Sequence, residues 1–190
     1  MHTKEGREKR VAQDARIEAQ LRNAKEEQRE LLGELREAGV DTDMVNRLPM
    51  TPTREYVHAL PILSRHLHRE YSEGTLESIA RSMATPAASV YWDDLVAMYR
   101  KQRGKERTRP GNFAMGLAAA VAASCPPARM NELVELLRDR ALPDRVLLLA
   151  PLRKRRGRDP VIAEVLEELR EDPDLVKEIS SWKQLKNSTK

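Results

Sequence analysis

Four histidines, one cysteine, two adjacent aspartates and two Arg/Lys runs are the residues of this 190-residue chain whose types could support chemistry. The histidines are His2, His58, His66 and His68. His66 and His68 stand two apart, which on a helix points them to opposing faces, whereas helical chelation needs a spacing of three or four. No metal is expected, and no other cofactor. Cys125 precedes two prolines with no histidine nearby and reads as a small buried or loop-edge thiol. Gly-rich phosphate loops, serine nucleophile elbows and strand-based cofactor motifs are absent from the sequence, so an enzyme is not expected.

The basic runs are the remaining candidates. Arg100, Lys101, Arg103, Lys105, Arg107 and Arg109 accompany a single acid, and Arg153, Lys154, Arg155, Arg156 and Arg158 accompany none. Each run nets +5 in a chain of net charge +4, which leaves the remainder at −6. The basic balance is therefore two local patches on an otherwise acidic protein. Each could neutralise several phosphates or meet another acidic surface. Neither interleaves aromatics for base stacking, and the two are expected on turns at opposite ends of the molecule. Solvated loops are the plain reading, and a nucleic-acid or acidic partner is the alternative.

The elements that must carry these residues are helices. Apolar residues make up 40% of the chain and aromatics only 4%, so the core must be built from Leu, Val, Ile, Ala and Met. A single cysteine forms no intramolecular disulfide. The most apolar run, Ala114 to Ala123, is about half of what a bilayer span requires and reads as a tightly packed interior helix. The charged start, MHTKEGREKR, has no apolar core behind it. A soluble cytoplasmic protein is expected, with no membrane partner.

Residues 7 to 38 form one long helix by pattern. Ile17, Leu21, Ala24, Gln28, Leu31, Leu35 and Ala38 recur at spacings of four and three, an a/d seam over three heptads that either pairs two chains or lies along the rest of the protein. Gly39 fits the helix end. After a connector come alternating helices: Tyr56 to His68, kinked at Pro61; Leu76 to Met83; then WDDLVAMYRKQ from Trp92, which aligns with MNELVELLRDR from Met130 at an offset of 38. In that alignment Asp93 and Asp94 match Asn131 and Glu132, so these acids read as first-turn residues at a helix N-terminus. A third copy runs from Pro160 to Asp172. Phe113, Val146 and Val176 each follow a proline by three residues, which registers the second helix of each pair.

Helix pairs with this period, and the segment LREDPDLVKEI in particular, resemble HEAT repeats within the armadillo-type solenoids. The chain is similar to a small stand-alone member of bacterial type. The resemblance implies an all-α, right-handed solenoid of about four pairs, at 55 to 84, 90 to 124, 129 to 156 and 159 to 186. The organisation expected is an N-terminal charged helix (1–40), a linker (41–54), the solenoid (55–186) and a disordered tail (187–190). HEAT-like metal hydroxylases carry His-Glu pairs, and this chain has no His-Glu dipeptide. HEAT-like DNA glycosylases use an acid in a basic cleft, a role the repeat alignment withholds from Asp93 and Asp94. The resemblance also implies that second helices line a concave binding surface. On it the register places Met115 and Leu148 centrally, with Arg81 and Lys177 toward the ends. The function expected is a non-enzymatic protein-binding scaffold, with nucleic-acid binding as the rival and a homodimer through the N-terminal helix as a further option.

Overall fold

Ten α-helices joined by short 3-10 turns make up the computed structural model, which describes residues 4–105 and 112–187; among these no strand occurs. The first two helices, α1 (Lys4–Glu27) and α2 (Arg29–Glu37), continue one another with a break at Gln28. Gly39, at φ +83°, ends α2: its N–H bonds Arg36 O and the Val40 N–H bonds Leu35 O, the reciprocal pattern of a Schellman cap. Val40 then buries its side chain.

The heptad seam divides at Gln28. From there on it belongs to this chain's own core: Leu31 and Leu35 are fully buried, and α2 packs on α3 (Leu60–His66). The Gln28 amide donates to Thr75 Oγ1 at 3.2 Å and accepts from the Val45 N–H at 3.0 Å, so a polar seam residue becomes an internal clamp. In the other direction Val11 and Leu21 are exposed, and the side chain of Ile17 lies outside the described residues. The stretch free to pair two chains is thus shorter than the three heptads the pattern promised.

Residues 41–54, expected as a linker, are part of the folded body. Val45 and Leu48 are buried in the 3-10 turn Val45–Met50, which packs on α4 (Glu73–Ser82). Pro61 does not kink a helix. It stands in the first turn of α3, where its missing N–H has no acceptor to lose, and residues 57–59 wind as a separate 3-10 turn.

Beyond α4 the helices follow in pairs: α5 (Trp92–Arg100) with α6 (Phe113–Ser124), α7 (Met130–Arg138) with α8 (Leu149–Arg155), and α9 (Pro160–Glu168) before α10 (Val176–Asn187). Side-chain caps define several starts: Ser72 for α4, Asn112 for α6 and Asp159 for α9. α6 is the hub. It lies against α4, α5, the 3-10 turn Arg145–Leu148 and α8, with Leu117, Ala118, Ala120 and Val121 buried. The approach to α4 is close enough that a Cβ on Gly116 would stand 2.6 Å from the Glu77 carbonyl oxygen. Trp92 of α5 is buried against α6 and donates its indole N–H to Val121 O at 3.0 Å.

Two sets of ions tie neighbours together. Along the first helices run exposed pairs: Arg69 with Glu30, His68 with Asp94 at 2.8 Å, Arg129 with Asp93, and Arg138 with Glu168. Each is worth little in water. Arg145 is different, because it is buried. It donates to Leu137 O at 2.6 Å, to Asp172 at 2.8 and 3.3 Å, and to Asp174 at 3.1 Å, fixing the turn before α10 to the end of α7.

Candidate partner-binding grooves

The sequence placed four residues on one surface, and the structure buries one of them. Met115 is half-buried in the first turn of α6, its N–H capped by Asn112 Oδ1 at 2.9 Å. Arg81 is half-exposed near the end of α4 and donates to Glu77 at 2.6 Å. Lys177 is exposed in the first turn of α10. Leu148 is fully buried, which removes it from any binding surface. Left-handed Asp144, at φ 55°, follows Pro143 and delays the α-helix, so Arg145–Leu148 winds as a 3-10 turn. Each residue there advances about 120° instead of about 100°, and Leu148 swings inward while Leu147 stays half-buried.

Two depressions flank this turn. The larger, about 540 Å³, collects Lys105 from the first basic run and Lys177 from the second-helix register, with Arg140, Asp174 and Glu178. One wall is Arg145 with Asp174, and Asp172 lies behind them bonded to Arg145. Arg145 holds the Asp172 carboxyl below the usual carboxylate range, chiefly through their hydrogen bond, with burial opposing it. The charges here are mixed, and of the first run Arg103 lies 3.4 Å from Asp139 while Lys105 donates to the neutral Gln102 at 3.0 Å. Arg100 and Lys101 are exposed, and Arg107 and Arg109 lie outside the described residues.

The second depression, about 380 Å³, runs between α6 and α8. Ala119, Ala122 and Ala123 line it from α6; Leu147, Ala150 and Pro151 line it from the opposite side; Cys125 and Met130 close one part, and Lys154 and Arg155 stand at the rim. Small side chains on α6 make this channel, since helix separation follows the size of the residues between helices. Burial pushes the Cys125 thiol up to about 11, with Arg155 pulling the other way, which keeps its thiolate fraction low at neutral pH.

The second basic run has a setting that sequence could not reveal. Among the described residues none of Arg153, Lys154, Arg155, Arg156 and Arg158 has a carboxylate partner, whereas Arg103, Arg129, Arg138 and Arg145 all do. Arg153 and Arg156 instead lie over the Trp182 ring, 5.5 and 5.2 Å from its centroid. Trp182 is buried beneath them and donates its N–H to Glu178 at 2.7 Å. No family model, curated protein or solved structure matches the chain. The likeness to HEAT repeats therefore stands on the residues alone. Among the described residues no group of three or more His, Cys, Asp or Glu could hold a metal ion, and no helix is long and apolar enough to cross a membrane.

Sequence reasoning missed the Arg145 clamp, the Trp182 stack and the position of the channel. The Ala-rich second helix and Pro151 were the only signals for the last, and they read equally well as interior packing.

Proposed function

We propose that this chain is a non-enzymatic helical-repeat module that takes a partner protein on the surface of its second helices, α4, α6, α8 and α10. The order of packing supports a stacked arrangement of the HEAT type. α4 lies on α6 and α6 on α8, while the exposed ion pairs join the first helices in the same sequence. The observation that carries the binding reading is the channel between α6 and α8, an apolar floor in the middle of that surface with cations at its edge. An apolar pocket with a polar surround concentrates binding energy in protein interfaces. Compared with the sequence expectation of Met115 and Leu148, the centre lies at Leu147 and Ala119.

The test is affinity capture from the source cell on the immobilised chain, with and without nuclease, beside an Ala119→Trp variant that fills the channel. A protein retained after nuclease and lost with the variant is the expected outcome. Retention that vanishes on nuclease treatment and ignores Ala119→Trp would give the role to nucleic acid and the basic runs instead.

A further inference from the structure

The second basic run is costly as it stands. Five cations within six residues repel one another, no carboxylate of the described residues answers them, and two are held in place on Trp182. Elsewhere on this chain Arg65, Arg69, Arg129 and Arg138 each have an acidic partner, whereas here five neighbouring cations share none among the described residues. Lys154 and Arg155 belong at once to this run and to the rim of the α6–α8 channel. An apolar floor that ends in unanswered positive charge has the complement of one kind of surface, apolar on one side and acidic beside it.

We infer that the partner segment is an acidic amphipathic helix, docked in the α6–α8 channel with its apolar residues on the alanine floor and its carboxylates on Lys154 and Arg155. This rests on the binding-module reading above and names the partner's chemistry. The channel lies at the small end of the about 300–1,000 Å³ range of ligand pockets, enough for a few aliphatic anchors spaced i, i+3 and i+4 along one helix face. Alanines at Ala119, Ala123 and Ala150 let a docked helix approach closely. Nucleic acid fits less well: the one aromatic ring at the run, Trp182, is only 4% exposed and already covered by arginines, and the channel floor offers no donor to a phosphate.

The test uses fluorescence anisotropy on the full chain with three labelled probes: an about 16-residue helix-forming peptide with Leu on one face and Glu beside it, its Lys-for-Glu counterpart, and an about 20-nucleotide single strand of DNA. The acidic peptide should bind at least about tenfold more tightly than the other two, and Lys154→Glu with Arg155→Glu should weaken it about tenfold or more. Ala150→Trp, at an exposed position, should weaken it as much, with circular dichroism confirming that each variant keeps its helix content. The neutral pair Lys154→Gln with Arg155→Gln should fall between. If Ala150→Trp abolishes peptide binding and the charge variants leave it unchanged, the acidic partner is wrong while the binding module stands. Should neither variant matter, or the acidic peptide fail to bind, the inference falls; DNA binding tighter than the acidic peptide overturns the module reading as well.

Discussion

Removing Asp172 should be among the most damaging single changes in the chain. Arg145 keeps 2% of its side chain exposed and Asp172 keeps 7%, so the pair is out of water. Asp172→Ala strands a buried guanidinium with Leu137 O and the solvent-facing Asp174, and it also removes the acceptor for the Asp174 N–H at 2.9 Å. Breaking a buried pair by deleting one partner costs about 3–5 kcal/mol, and because two of Arg145's acceptors remain the lower end applies, about 3 kcal/mol. With a urea slope of about 2 kcal/mol/M that is a midpoint about 1.5 M lower, readable by far-UV circular dichroism. The folded Asp172 carboxyl titrates below its ordinary 3.8, so its stabilisation is present above that pH and is lost as pH falls through the folded value. The gap between wild type and variant should accordingly narrow in acid. The double change Arg145→Met with Asp172→Leu should recover most of the loss, since it leaves no stranded charge. A midpoint shift below about 0.5 M, or one undiminished at low pH, would refute the reasoning.

Three further outcomes are expected. Gly116→Ala should lower the thermal midpoint, because the added Cβ meets Glu77 backbone at 2.6 Å and the about 1–3 kcal/mol of overpacking exceeds the about 1 kcal/mol gained in helix propensity; a rise in the midpoint would show that α4 and α6 can part freely. His66 is fully buried, shares a 2.7 Å hydrogen bond with Tyr71, faces Glu30, Glu34 and Arg69, and is held below its ordinary 6.5 chiefly by burial. Its neutral form favours folding, so urea midpoints should fall as pH drops below about 6.5, and His66→Phe should flatten that slope; an unchanged slope assigns it to other groups. Cys125, raised from 9.0 to about 11, should react with iodoacetamide about 100-fold more slowly at neutral pH than an unshifted thiol, and a rate matching a free thiol would place it outside the fold's shelter.

Local chemistry was legible in the sequence and long-range geometry was not. Prolines announced the starts of α6, α9 and α10, and Gly39 announced the end of α2, because each acts on its own neighbours. The Ala-rich run announced a close-packed helix because small residues have few other uses in a core. Leu148 was misplaced because the register assumed α-helical phase where Pro143 and Asp144 produce a 3-10 turn. Gln28 looked like a weak seam position because its partners, Thr75 and Val45, are 47 and 17 residues away. The two basic runs looked alike on paper. Only three-dimensional placement shows that Arg103 has Asp139 beside it while Arg155 has an alanine channel.

The exposed ion pairs along the first helices add little to the stability of the finished fold, but they bear on how it is reached. The copies beginning at Trp92, Met130 and Pro160 resemble one another, which invites a newly made chain to dock a copy out of turn, a characteristic failure of repetitive proteins. The links fall at opposite ends of α7: Asp93 in the first turn of α5 meets Arg129 just before α7, and Arg138 at the end of α7 meets Glu168 at the end of α9. Skipping α7 would leave Asp93 without Arg129 and Glu168 without Arg138, forfeiting both bonds, a penalty that the correct order does not incur. The ladder thus serves as an address code for assembly, and high salt, which silences the code without melting the core, should leave the folded protein intact while lowering the fraction of chains that refold to it.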